Sequence, residues 1–150
     1  MIQRIQTVYL FLVAVLMVVS MALPVGDFYN DAGVWEMTNL HYTLVDGTLS
    51  LKPCVLFFLL VVVAALSLAA IFLYKKRRLQ IRLAITGTFL LVAYYVVAAC
   101  LIIFADGQDD SGFAPSWSLC LPLVSIILNW LAIRGINRDE MLVRSYDRIR

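Results

Sequence analysis

Four apolar blocks without a charged residue divide the chain: Thr7 to Leu23, Cys54 to Tyr74, Leu83 to Phe104, and Trp117 to Ile133. A helix needs roughly 20 residues to cross a hydrocarbon core of about 30 Å. The second and third blocks meet that length. The first extends past Arg4 through Ile5 and Ile2, because a long arginine side chain can reach back to the headgroups. The fourth carries Pro122 near its start, where a helix tolerates a missing N–H, and Ser116 is a candidate cap. The pattern predicts four transmembrane helices, at about 5–23, 54–74, 83–104 and 117–134. A competing reading of the first block is a cleaved signal peptide, with Arg4 as its basic start and small residues at Ser20 to Ala22. Its apolar stretch exceeds the usual core of about 7–15 residues, which favours a retained helix. Cleavage would leave three helices and an external N-terminus.

The connections carry a different period. Between the first two blocks, the segment 24–53 alternates apolar and polar residues around Asp46-Gly47, a strong two-residue hairpin signal. Pairing Val45 with Thr48 sets Leu44 opposite Leu49 and Tyr42 opposite Leu51. Leu40, Tyr42, Leu44, Leu49 and Leu51 would then share an apolar face, with His41, Thr43, Ser50 and Lys52 on the other. The stretch "VWEMT" is a candidate third strand, making a hairpin or a meander. A lone hairpin is marginal in water, so its apolar face should rest on the helix ends.

Beyond the fourth block, Asn137 followed by Glu140 is a variant capping box. It predicts that the fourth helix breaks near Gly135 and that a short amphipathic helix starts at about Arg138. Leu142, Tyr146 and Ile149 would form its apolar stripe, with Val143 beside them. Glu140 with Arg144, and Arg144 with Asp147, have the spacing of helical ion pairs.

Composition agrees with the block pattern. The 150 residues are 63% hydrophobic and 15% charged, with mean hydropathy +0.90. Soluble domains lie nearer a half apolar and a quarter charged, so a small soluble receptor is excluded. Charge then sets the orientation. Every Lys and Arg except Lys52 falls at Arg4, in the loop 75–82, or in the tail from Arg134 onward. A four-span layout puts those three places on one side, and the positive-inside rule makes that side cytoplasmic, with both termini there. The expected fold class is therefore an all-α membrane protein. It is a four-transmembrane-helix bundle with a small extracytoplasmic β-hairpin or meander and a short cytoplasmic C-terminal amphipathic helix. The remaining boundaries are an external loop 24–53, a basic cytoplasmic loop 75–82, an external acidic loop 105–116 and a cytoplasmic tail 135–150.

That layout gathers candidate docking or lipid-headgroup contacts on one face: Lys75, Lys76, Arg77, Arg78, Arg82, Arg138, Arg144 and Arg148. They suit anionic membrane lipid or an unidentified acidic protein partner. Nucleic acid is not expected, since only Tyr146 supplies a stacking aromatic among the charges.

Chemistry-bearing patterns are sparse. The acidic loop "ADGQDDSGFAPSW" fails the calcium-loop test: Ser111 stands at the sixth position from Asp106, and Trp117 takes the place of the bidentate Glu. His41 has no acid or cysteine at metal spacing and reads as an exposed strand residue. Cys54, Cys100 and Cys120 lie in apolar sequence toward the external helix ends and read as small hydrophobes, with a disulfide between two of them as the alternative. Within the four apolar blocks there is no Asp, Glu, Lys, Arg or His, and the polar inventory includes Ser20, Ser67, Thr86, Thr88, Tyr94, Tyr95, Ser125 and Asn129. The Ser and Thr hydroxyls can bond the preceding turn of their own helix. Asn129 is the costly residue, and an interhelical hydrogen bond is its expected use.

Three stretches have a further likeness. "MIQRIQTVYL", "YKKRRLQIRLAI" and "LPLVSIILNWLAIRGINRDEMLVRSYDRIR" resemble the bacterial domain-of-unknown-function family numbered 4293. The resemblance implies a small four-helix integral membrane protein and supplies no activity, and the expected location is the bacterial inner (cytoplasmic) membrane. With no intramembrane charge and no nucleophile–base pair, a non-catalytic scaffold or accessory subunit is the expected role, with no catalytic residue, metal or cofactor. The alternative is a small transporter or membrane enzyme acting on a lipid-like substrate.

Overall fold

A computed structural model describes residues 3–30, 33–43, 49–73, 76–109 and 112–147. The chain forms four long helices, α1 (Gln3–Ala22), α2 (Cys54–Phe72), α3 (Arg77–Asp109) and α4 (Cys120–Asp147), with short strands between α1 and α2 and between α3 and α4. All four are long and apolar enough to cross a membrane. α1 runs without Gly or Pro and stops just ahead of Pro24, whose ring disfavours helical backbone in the residue before it. α2 starts directly after Pro53. It closes at Leu73, whose N–H donates to the carbonyl of Ala69 at 3.0 Å.

Two predicted boundaries shift. α3 begins at Arg77, so most of the expected basic loop 75–82 is helix, and its other end reaches Asp109, inside the expected acidic loop. Nothing in Arg77–Arg82 breaks a helix, and Arg and Gln are good helix formers, so the turn is compressed to a few residues. Ser116 also does not cap. Its side chain makes no capping bond, and its N–H donates to the carbonyl of Val25 at 3.0 Å. A 3₁₀ turn at Trp117–Leu119 leads from there into α4.

α1 packs on α2 and α4, and α3 packs on α2 and α4, so the helices close in a ring. One core cluster includes Val13 and Met17 of α1, Leu56, Leu60 and Val63 of α2, and Leu91 and Tyr94 of α3. A second joins Leu10, Ala70, Ala84 and Ala132, one residue from each helix, nearer the basic end. The outward faces are apolar as well: Phe11, Val18, Phe58, Phe72, Phe89, Val96, Ile103 and Ile127 are exposed. A helix hydrophobic all round has no face prepared for water.

The connections build a five-stranded antiparallel sheet, in the order β4-β3-β2-β1-β5, at the other end. Its strands are β1 (Pro24–Asn30), β2 (Gly33–Thr38), β3 (Tyr42–Thr43), β4 (Leu49–Ser50) and β5 (Gly112–Pro115). β5 comes from the second connection, which the charge pattern presented only as a solvated acidic loop. It pairs with β1 through Phe28 opposite Phe113, whose rings lie 5.0 Å apart. Gly26 permits this approach, since a Cβ there would collide with the Phe113 ring.

The hairpin register differs from the expected one. Tyr42 pairs with Ser50 and Thr43 with Leu49, which leaves an odd-numbered connection between the strands. A two-residue Asp46-Gly47 turn needs an even one; the turn itself lies outside the described residues. Tyr42 and Leu49 therefore fall on successive rungs of the ladder, which is not the pairing that would build the predicted apolar face. Val25 and Phe28 of β1 and Met37 of β2 take that role, joining the cluster of Met17, Leu56 and Tyr94. Leu51 stays exposed.

α4 passes through Gly135 without interruption as far as Asp147, so no separate C-terminal helix starts at Arg138. The buried Ala132 and Ile136 flank the glycine. A Cβ on Gly135 would lie 3.1 Å from Cγ of Gln6, so this is where α4 approaches α1 closely. A mid-helix glycine costs about 1 kcal/mol, and the close packing of α4 on α1 that the small residue permits opposes that cost. The expected stripe of Leu142, Tyr146 and Ile149, and the ion pairs of Arg144, involve side chains outside the described set.

Candidate functional site

The cationic residues converge because the ring is antiparallel. Ala84 and Ala132 share the cluster nearer the basic end, so Arg82 on α3 and Arg134 on α4, two residues beyond them, stand at the same level of the ring. Lys76, Arg78, Arg82, Arg134 and Arg138 are all exposed there. The Arg134 guanidinium sits 5.5 Å over the Trp130 ring, a cation–π contact that fixes its direction. Lys75 and Arg148 lie outside the described residues, and Arg77 and Arg144 are placed only as helical backbone. No Asp or Glu occurs in Arg78–Phe104 or Trp117–Arg138, so the exposed cations on these spans have no acid on the spans themselves.

Polar groups between the helices are mostly consumed by the fold. Ser67, Thr86, Thr88 and Ser125 each donate to the carbonyl four residues back, at 2.9 to 3.0 Å. The Tyr95 hydroxyl donates to the carbonyl of Leu119, and Ser118 to that of Pro24, tying α3 and the start of α4 to the sheet end.

Asn129 departs from expectation. It is buried on α4, and neither its amide nitrogen nor its oxygen has a partner among the described residues. The interhelical bond expected of it is not made, because it faces Gly87, which has no side chain to answer it. A Cβ on Gly87 would stand 3.5 Å from the Asn129 amide nitrogen.

The polar residue that does join elements was missed by pattern reading. Asn39, 1% exposed, follows β2, and its amide donates to the carbonyl of Ser20 at 2.7 Å. The Tyr94 hydroxyl donates to its Oδ1 at 2.8 Å. The available signal was an Asn directly after an alternating run, where its side chain can bond backbone. Gln6 and Gln80 are also buried, near the opposite end. His41 is half-buried rather than on a strand; its Nδ1 lies 3.2 Å from Thr38 Oγ1 in a tight turn. All three cysteines are free, Cys54 half-buried and Cys100 and Cys120 exposed.

No curated protein matches this chain. The family model described as "Domain of unknown function (DUF4293)" matches residues 2–149, nearly its whole length. The chain therefore belongs to the DUF4293 family of domains of unknown function.

Proposed function

We propose that this is a non-catalytic, multi-pass protein of the bacterial inner membrane, a scaffold or accessory subunit with a basic cytoplasmic docking face. The observation that carries the reading is the pairing of helices apolar on their outer faces with cations gathered at one end of the ring. A hydrocarbon solvent accounts for the first, and the positive-inside rule for the second. Both termini are then cytoplasmic, the sheet stands outside, and the basic face meets anionic headgroups and an unidentified protein partner. A reporter active only in the cytoplasm should work when fused after residue 150 and fail when fused after Phe104. The reverse pattern would refute the orientation.

The unpartnered amide of Asn129 supports a second reading, a small transporter or an enzyme acting on a lipid-like substrate. A buried polar group without a partner calls for a reason, and a bound polar ligand group is one. The two readings part on what replacing that amide does to the protein.

A further inference from the structure

We propose that the cleft between α3 and α4 beside the basic end binds one anionic phospholipid, its acyl chain in an apolar groove and its phosphate between Arg82 and Arg134. The groove has a volume of about 160 Å³ and is lined by Ile85, Thr88, Phe89, Val92, Trp130 and Ile133. Thr88 does not make it polar, because its hydroxyl is spent on the carbonyl of Ala84 at 3.0 Å. Phe89 is 72% exposed and Trp130 55%, so the groove opens sideways from the ring rather than into its core.

Helix register brings Arg82 and Arg134 to the end of this groove nearer the basic end. Arg82 precedes Ile85 by three residues and Phe89 by seven, the spacings that share a helix face. Arg134 follows Ile133 and lies over the indole of Trp130, so a groove wall itself holds a cation. Guanidinium forks match phosphate oxygens, and no carboxylate on either span competes for them. An apolar slot ending in two guanidinium groups is complementary to an acyl chain ending in an anionic headgroup. Free phosphate would use only the arginines, and a neutral lipid only the slot.

The inference rests on the membrane reading, and the test separates the two. The full chain, extracted in mild detergent and stripped of lipid, is titrated with phosphatidylglycerol and with phosphatidylcholine of the same acyl chains, with binding read by native mass spectrometry. One phosphatidylglycerol should bind in clear preference to phosphatidylcholine. Arg82→Gln with Arg134→Gln should weaken it about thirtyfold, at about 1 kcal/mol per basic residue. Lys76→Gln with Arg138→Gln should change it by less than about threefold, as expected for screened charges away from the groove. Val92→Trp, which fills the groove, should weaken both lipids. Equal losses in the two arginine and lysine pairs, or none in the first, would overturn the site in favour of a diffuse basic surface. An unchanged Val92→Trp would remove the acyl chain from the groove. A chain that fractionates as soluble would overturn the membrane reading instead.

Discussion

The hydroxyl of Tyr94, in the middle of α3, donates to Oδ1 of Asn39 at 2.8 Å, and the same Asn39 side chain donates to the carbonyl of Ser20 at 2.7 Å. One amide from the first connection thus joins the end of α1 to α3. The sheet is held on the helices by this polar contact and by the apolar seat of Phe28 and Met37. Tyr94→Phe leaves a buried acceptor without its donor and is expected to cost about 1–3 kcal/mol. Asn39→Leu should cost at least as much, and the double variant less than the sum, because each replacement removes the same bond. Thermal unfolding in detergent measures the cycle; strict additivity would show that the two side chains are not coupled.

Asn129 makes the opposite case. Its amide is buried beside Gly87 with no partner for either atom. Asn129→Leu removes an unmet desolvation cost and is expected to stabilise the chain by about 1–3 kcal/mol. A loss of stability would show that the amide is engaged in the native membrane and would strengthen the transporter or lipid-enzyme reading. Gly87→Ala tests the same contact from α3. Its added Cβ would make an ordinary 3.5 Å contact, so the gain in helix propensity, up to about 1 kcal/mol, should appear in the melting temperature.

Asp27 and Glu36 are register partners on β1 and β2, and both are exposed. Like charges directly opposite one another in a ladder are unfavourable. Glu36→Lys is expected to stabilise the sheet by about 0.2–1 kcal/mol at low ionic strength, with the gain shrinking as salt screens the pair. A gain that persists in high salt would point to a cause other than charge.

The sequence declared its helices because hydrocarbon-length apolar runs are long signals that no local detail reverses. Cys54 marked the observed start of α2, and Phe104 fell five residues short of the end of α3 at Asp109. The sheet was half legible. Alternation in "VWEMT" announced β2, but Gly112–Pro115 carries too few alternating residues to announce β5, which exists because β1 offers it an edge. Asn39 was hidden for a similar reason. Its value lies in Ser20 and Tyr94, distant residues that sequence pattern does not place beside it. At Asn129 and Gly135 a sound local rule met a tertiary fact that outweighed it: a glycine opposite the amide, and α1 against the glycine.

The continuity of α4 gives the last test. Asn137 and Glu140 have capping-box spacing, and a break near Gly135 with a new helix from Arg138 would leave the amides of residues 135–138 without partners four residues back. In the structure these residues are interior to a helix running from Cys120 to Asp147, with Ile136 buried. Their amides are expected to exchange with deuterium as slowly as those of Ala132 and Ile133. Gly135→Pro should cost about 3 kcal/mol or more, since it removes an interior hydrogen bond and clashes with the preceding turn. Gly135→Ala is the control: it keeps the N–H, and its Cβ would lie 3.1 Å from Cγ of the buried Gln6, so it should cost clearly less than the proline. A proline tolerated as well as the alanine, together with fast exchange at 135–138, would restore the broken helix. Loss with proline alone would establish that the tail is a rigid extension of α4, which carries Arg134 and Arg138 on one continuous rod.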